Sequence, residues 1–271
     1  EYYKTPYENI TIRTDDPRFI YFLETLNSLQ EDNKLTTNTT LIYPTEDSRY
    51  TKKRIMKCSE DLLSFSFWGK SYPGSLLSVI LGIQELQQAE TKEVGLHSTA
   101  LYDRLHKETH LIISKSGLGK TTYSYLLENF SKERFVLIGD EWNLLNLNTL
   151  RIKNKVPIIG DIKNQEIRPF FLDSMPVEER IYVGNKVFWL NQNYSSDKET
   201  NLGKIILLVK DLKNLNINED VIKSHKNIPF IGCDFSRIPD EYQNKYHLIR
   251  KKVTKVIDKF QNLPNLYPVC V

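Results

Sequence analysis

The residues with the most chemistry in this chain lie in one run, His110-Leu-Ile-Ile-Ser-Lys-Ser-Gly-Leu-Gly-Lys-Thr-Thr-Tyr123. Gly117 and Gly119 let a main chain close on an anion and turn its N–H groups inward. Lys120 carries a charge that can neutralise outer phosphate oxygens, and the Thr121 hydroxyl is a hard donor suited to Mg2+. The stretch Ser116, Gly117, Leu118, Gly119, Lys120, Thr121 and Thr122 is therefore the expected cradle for a nucleoside triphosphate. Such a cradle needs a strand before it and a helix after it. Leu111 to Ile113 give a short buried-strand signal, and Tyr123, Leu126, Leu127 and Phe130 recur at helical spacing. Against the pattern G-x-x-x-x-G-K-[ST] the match is partial, because Ser114 stands at the first glycine.

Phosphate chemistry also needs carboxylates. Arg134-Phe-Val-Leu-Ile-Gly-Asp-Glu-Trp142 reads as an apolar strand ending in Asp140 and Glu141, placed where a strand's carboxyl end can meet Mg2+. Ahead of the cradle, Val94 to Leu101 read as one strand carrying His97 and Ser98, followed by a hairpin-length gap. Each feature alone has a plain alternative. His97 could be a hydrogen-bonded strand histidine, Asp140-Glu141 a strand end before a turn, and Trp142 core or rim rather than a stacking platform. Arg151, Arg168 and Arg180 read as surface arginines in loops, with Arg168 kept as a weak phosphate candidate.

At 271 residues the chain has length for one large domain or two small ones. Its 40% hydrophobic and 26% charged residues place it among ordinary globular proteins. A net charge of +3 with both signs interspersed argues against nucleic acid as a partner. The odd, widely spaced cysteines Cys58, Cys233 and Cys270 fit neither a disulfide framework nor a zinc cluster, so a reducing cytoplasm is expected. No apolar run approaches a membrane span, and no membrane partner is expected. The sequence opens at Glu1 without a Met, which leaves room for an upstream N-terminus.

The elements around the motifs are read as follows. Residues 1–14 look like an edge strand, and Asp16-Pro17 open a helix carrying Phe19, Ile20, Phe22, Leu23 and Leu26. Residues 31–40 look like a loop. Leu41 to Tyr43 and Leu62 to Trp68 read as strands, Tyr72-Pro-Gly74 as a turn, and Ser75 as the cap of a further helix. This is a small α+β N-terminal portion, set at 1–90, ahead of a domain at 91–271. In the second part, strand signals sit at Val156 to Ile159, Phe170 to Leu172, Val187 to Leu190 and Ile205 to Val209. Helices are expected at Asp220 to Lys226 and Tyr242 to Phe260.

In order and spacing, LHSTAL, then HLIISKSGLGKTT, then VLIGDEWNLL resembles the HPr kinase/phosphorylase and phosphoenolpyruvate carboxykinase superfamily. The resemblance covers Val94 to Leu145, about a fifth of the chain. It departs from the family pattern at Ser114 and at Glu141, which stands where a second Asp is usual. The resemblance implies an α/β fold, a mixed β-sheet core with a P-loop preceded by the small α+β portion. It implies ATP or GTP with Mg2+ as cofactors and transfer of the γ-phosphate to a hydroxyl. In that scheme Lys120 reaches the β/γ oxygens, Asp140 accepts the substrate proton, and His97 lies near the phosphate or a metal. Thr121, Asp140 and Glu141 are the metal-side residues. The acceptor favoured is a serine of a peptide or protein, a precursor peptide included. A small-molecule kinase on the same scaffold and a nucleotide-binding module without turnover are the alternatives. Homo-oligomers occur in the family.

Overall fold

The computed structural model describes residues 91–114, 117–154, 158–160, 166–174, 176–177, 180–183, 186–190, 198–210 and 266–270. Ahead of these it describes 2–4, 10–14, 29–31, 40–45, 55–58, 64–68 and helical positions 17, 20, 23 and 24. The expected turn at 72–74, the helix from 75, the helix at 220–226 and cradle residue Ser116 lie outside the described residues. The expected helix at 242–260 is described only at 244, 247, 248, 251 and 255, all helical. Two compact units divide the chain: 1–90 with 228–248, and 91–227 with 249–271.

The first unit holds a mixed six-stranded sheet. Its strands are β1 (Tyr2–Lys4), β2 (Ile10–Arg13), β3 (Leu29–Glu31), β4 (Thr40–Thr45), β5 (Ile55–Cys58) and β6 (Ser64–Trp68), in the order β3-β1-β2-β4-β6-β5. Residues 1–14, expected as one edge strand, supply two strands, and neither is at an edge. The short β3, which carries no apolar alternation, pairs with β1 and covers its outer side. Ile12 and Leu23 are fully buried.

The second unit is α/β with a mixed sheet and few helices. Its elements begin with β7 (Glu93–Leu96), β8 (Ser98–Asp103), β9 (Glu108–Ser114), α1 (Lys120–Phe130) and β10 (Phe135–Gly139). There follow β11 (Asn143–Asn146), β12 (Arg151–Asn154), β13 (Ile158–Ile159), α2 (Arg168–Ser174), β14 (Arg180–Val183) and β15 (Lys186–Leu190). β16 (Glu199–Val209) and β17 (Leu266–Cys270) complete it. The main sheet runs β10-β8-β9-β16-β12-β11-β7, with β17 also on β16; β13, β15 and β14 form a separate small sheet.

Strand direction decides where the chemistry goes. β10 runs antiparallel to β8, and β8 antiparallel to β9, so two reversals leave β10 pointing the same way as β9. The end of β9 at Ser114, the end of β10 at Gly139 and the start of β8 at Ser98 therefore share one sheet edge. Register agrees: Ser98 faces Ile113, and Ala100 faces Gly139. β9 is buried at every position after Glu108, as a continuous apolar strand between two neighbours should be.

Two expectations fail in this unit. Val94 to Leu101 is not one strand but β7 and β8, broken at His97. β7 pairs with β11 at one end of the strand order and β8 with β9 and β10 near the other, so the sheet curls back on itself at the break. Phe170 to Leu172 lies in helix α2 rather than a strand. Pro169 fits the first turn of a helix, and Phe171 is its fully buried residue, with Ile167 and Leu172 partly buried against the same core. Phe171 joins Tyr125 (centroids 4.3 Å apart) and Trp189 (4.0 Å), both edge to face, in a core that includes Leu101, Leu137 and Val187. Among the described residues no helix is long and apolar enough to cross a membrane.

The sheet edge opposite the cradle is tied by Asp103. Its Oδ1 accepts the N–H groups of Leu105 (2.9 Å) and His106 (3.3 Å), and its Oδ2 accepts Arg134 Nη2 (2.9 Å). Burial alone would raise this carboxyl; Arg134, the His106 ring and those two N–H groups outweigh it and hold it well below the usual carboxylate range. A depressed folded value stabilises the fold fully above the ordinary range, and the contribution is lost progressively as pH falls from that range through the lower folded value. Asp103→Ala is expected to cost about 2 kcal/mol at neutral pH, read from the urea midpoint, and to flatten the acid limb of the stability profile.

Candidate functional site

The turn after β9 is shaped by two glycines in the left-handed region, Gly117 (φ 88°) and Gly119 (φ 93°), which L side chains rarely adopt. Gly119 is the N-cap of α1, and the Tyr123 N–H donates to its carbonyl at 2.8 Å. No side chain caps α1, and its first turn carries no acidic residue. The first N–H groups of a helix lack intrahelical partners, so this end is disposed toward an anion. Ser114 is still inside β9, paired with Leu208 and fully buried. It is not among the positive-φ residues, so glycine's freedom is not needed there.

Around α1's first turn the expected residues meet. Lys120, buried, places Nζ 3.2 Å from His97 Nε2, and the same ring nitrogen is 3.1 Å from Glu141 Oε2. That nitrogen can accept from the Lys120 ammonium or donate to Glu141, but one tautomer cannot do both. The Thr121 hydroxyl donates to Asp140 Oδ2 at 3.0 Å, and the Thr99 hydroxyl donates to Asp140 Oδ1 at 2.9 Å. A third donor, the Gly160 N–H, reaches Oδ2 at 2.9 Å. Burial pushes the Asp140 carboxyl up and the Glu141 charge pushes it further; the Gly160 N–H and Lys120 oppose this without cancelling it. A buried carboxyl with a raised pKa is suited to taking up a proton.

Glu141 is held in a costly backbone state. Its φ is 65°, and the Trp142 N–H donates to the Asp140 carbonyl at 2.7 Å, closing a tight three-residue turn. This turn lets two adjacent carboxylates face the same edge. Asn143 secures it from behind, its Nδ2 donating to the Ser98 carbonyl (2.8 Å) and hydroxyl (3.0 Å).

Thr99 and Gly160 were not singled out from sequence. Thr99 follows the strand break at His97 and looks like any polar position of a half-buried strand. Gly160 had a signal, since an apolar pair, Ile158-Ile159, runs into Gly-Asp. A side chain at 160 would begin 2.8 Å from Glu141 Oε1 and 3.3 Å from Asp140 Oδ2, so a larger residue here would push the Glu141 carboxylate aside. Leu118 and Thr122 are half-buried at the turn and on α1. Arg151, Arg168 and Arg180, expected in loops, lie instead in β12, α2 and β14; Arg151 is 3.7 Å from Glu199, and Arg180 donates to the Leu172 carbonyl. Trp142 is core, packed on the Gly95 backbone.

No protein-family model and no curated protein matches the chain. The site therefore stands on its own geometry.

Among the described residues, no three His, Cys, Asp or Glu side chains gather as a ready metal cage. The donors at hand are hard oxygens: the Thr121 hydroxyl and the Asp140 and Glu141 carboxylates. A hydroxyl that gives its proton to Asp140 keeps its lone pairs for a cation. These donors fit Mg2+, which ordinarily takes one or two carboxylates together with phosphate oxygens.

Glu141→Gly removes both the left-handed strain and a like charge beside Asp140. The variant is expected to be about 1 kcal/mol more stable, with a melting temperature a few degrees higher by calorimetry, and to lose function. Glu141→Ala is the control, since it loses the same charge and His97 contact but keeps the left-handed backbone; a glycine variant no more stable than the alanine variant would show that Glu141 is not strained.

Proposed function

We propose that this chain is a phosphotransferase of the P-loop kinase type, moving the γ-phosphate of ATP or GTP to a hydroxyl. A serine of a peptide or protein is the preferred acceptor. The observation that carries the reading is the meeting of Lys120, His97, Thr121, Asp140 and Glu141 at the uncapped start of α1, next to the end of β9.

In this reading the turn's N–H groups and the Lys120 ammonium hold the phosphate oxygens, whose charge must be met as the phosphoryl moves. His97 Nε2 can hold the Lys120 ammonium in place before nucleotide arrives, accepting from it in the tautomer that does not donate to Glu141. Asp140 takes the proton of the attacking hydroxyl as its oxygen bonds to the γ-phosphorus and the bond to the β-phosphate oxygen breaks. Thr99 on Oδ1, with Thr121 and the Gly160 N–H on Oδ2, fixes the orientation of the carboxylate. Bound Mg2+ would supply further neutralisation of the phosphate charge, held by Thr121 and the acid pair.

The test uses labelled ATP, Mg2+ and a panel of serine-containing peptides and proteins, with phosphate gain read by mass. Lys120→Ala is expected to weaken nucleotide binding about tenfold or more. Asp140→Asn is expected to lower kcat about a thousandfold while nucleotide still binds. Transfer to metabolites alone would make it a small-molecule kinase. Binding without any transfer would make it a nucleotide-binding module, and no Lys120-dependent binding would end the reading.

A further inference from the structure

We propose that Tyr123 is the platform on which the base of the bound nucleotide stacks, an inference that rests on the triphosphate reading of the cradle. Successive side chains on an α-helix turn by about 100°. Thr121 and Tyr123 therefore leave α1 on nearly opposite sides. Thr121 marks the acid side through its 3.0 Å bond to Asp140. Tyr123 marks the other side, where its ring lies 3.5 Å from the point at which a Gly119 side chain would begin. A triphosphate with its terminal phosphate toward Lys120 and the acids, and its chain along α1's first N–H groups, delivers its nucleoside away from the acids. That is the side Tyr123 occupies.

The neighbouring aromatics cannot take this role. Trp142 is 1% exposed, and Tyr125 is 6% exposed with its hydroxyl 2.6 Å from Ser174 Oγ and its ring against Phe171. Tyr123 is 39% exposed, on the helix's first turn. A rigid ring with few rotatable bonds is an inexpensive stacking surface. Every base has a π face, so this contact distinguishes a nucleotide from inorganic polyphosphate but not adenine from guanine.

Calorimetric titration of the full chain with ATP, GTP and inorganic tripolyphosphate, each with Mg2+, tests the assignment. Tyr123→Ala is expected to weaken ATP and GTP about tenfold, and to leave tripolyphosphate within about twofold. Tyr123→Phe is expected to bind all three like the wild type. An alanine variant that binds ATP normally, or that loses tripolyphosphate equally, overturns the stacking role. Failure of the cradle itself looks different: the wild type then binds none of the three, or its binding survives Lys120→Ala, and the inference falls with it.

Discussion

Asp140 sits at 1% exposure beside a second carboxylate, a position that costs free energy unless its oxygens are supplied with donors. Three donors supply them, each from a different part of the chain: Thr99 from β8, Thr121 from α1 and the Gly160 N–H beyond β13. The charge is tolerable only once β8, α1 and the segment after β13 have come to one edge. Conversely, that edge is built by direction alone, since the two antiparallel steps from β10 through β8 to β9 bring the acid turn beside the glycine turn. The opposition between donors and desolvation leaves the carboxyl basic rather than inert. Elsewhere in the same unit, Asp103 is equally buried but faces Arg134, and there the donors win. Two buried aspartates thus end in opposite electrostatic states, one carboxyl held well below its ordinary range and one pushed up.

What could be read from sequence was what local chemistry dictates. A continuous apolar β9, glycines that must carry positive φ, and a strand ending in two acids are each legible within about ten residues. The α/β class followed from these. The remaining features depend on partners the local pattern does not name. β11 and β12 are four-residue strands bounded by asparagines and lysines, and only pairing with β7 and β16 makes them strands. The break at His97 arises because β7 must join β11 while β8 joins β9, a demand set by residues some fifty positions later. The segment Phe170 to Leu172 has the apolar density of either element, and the packing of Phe171 between Tyr125 and Trp189 selects the helix. Thr99 could not be distinguished from a structural threonine, because its role exists only once Asp140 faces it.

The rotation of α1 shows chemistry prevailing over packing. The periodic run of Tyr123, Leu126, Leu127 and Phe130 would ordinarily define a buried face. Instead Lys120, Ser124 and Tyr125 are the buried positions, while Leu127 is 36% and Phe130 84% exposed. Burying Phe130 would gain roughly 2 kcal/mol, so something fixes the helix against that gain. Two constraints do so. Lys120 and Thr121 must both face the acid edge, which sets the first turn, and one turn later Ser124 donates to the Lys120 carbonyl while Tyr125 locks onto Phe171 and Ser174. With about 100° per residue, positions 123, 127 and 130 then fall on the solvent side. Rotating the helix to bury Phe130 would carry Thr121 off Asp140 and leave a buried carboxylate one donor short, a loss comparable to the gain. The contacts of Thr121, Ser124 and Tyr125 therefore set which way the helix faces, and they also leave Tyr123 exposed on its first turn.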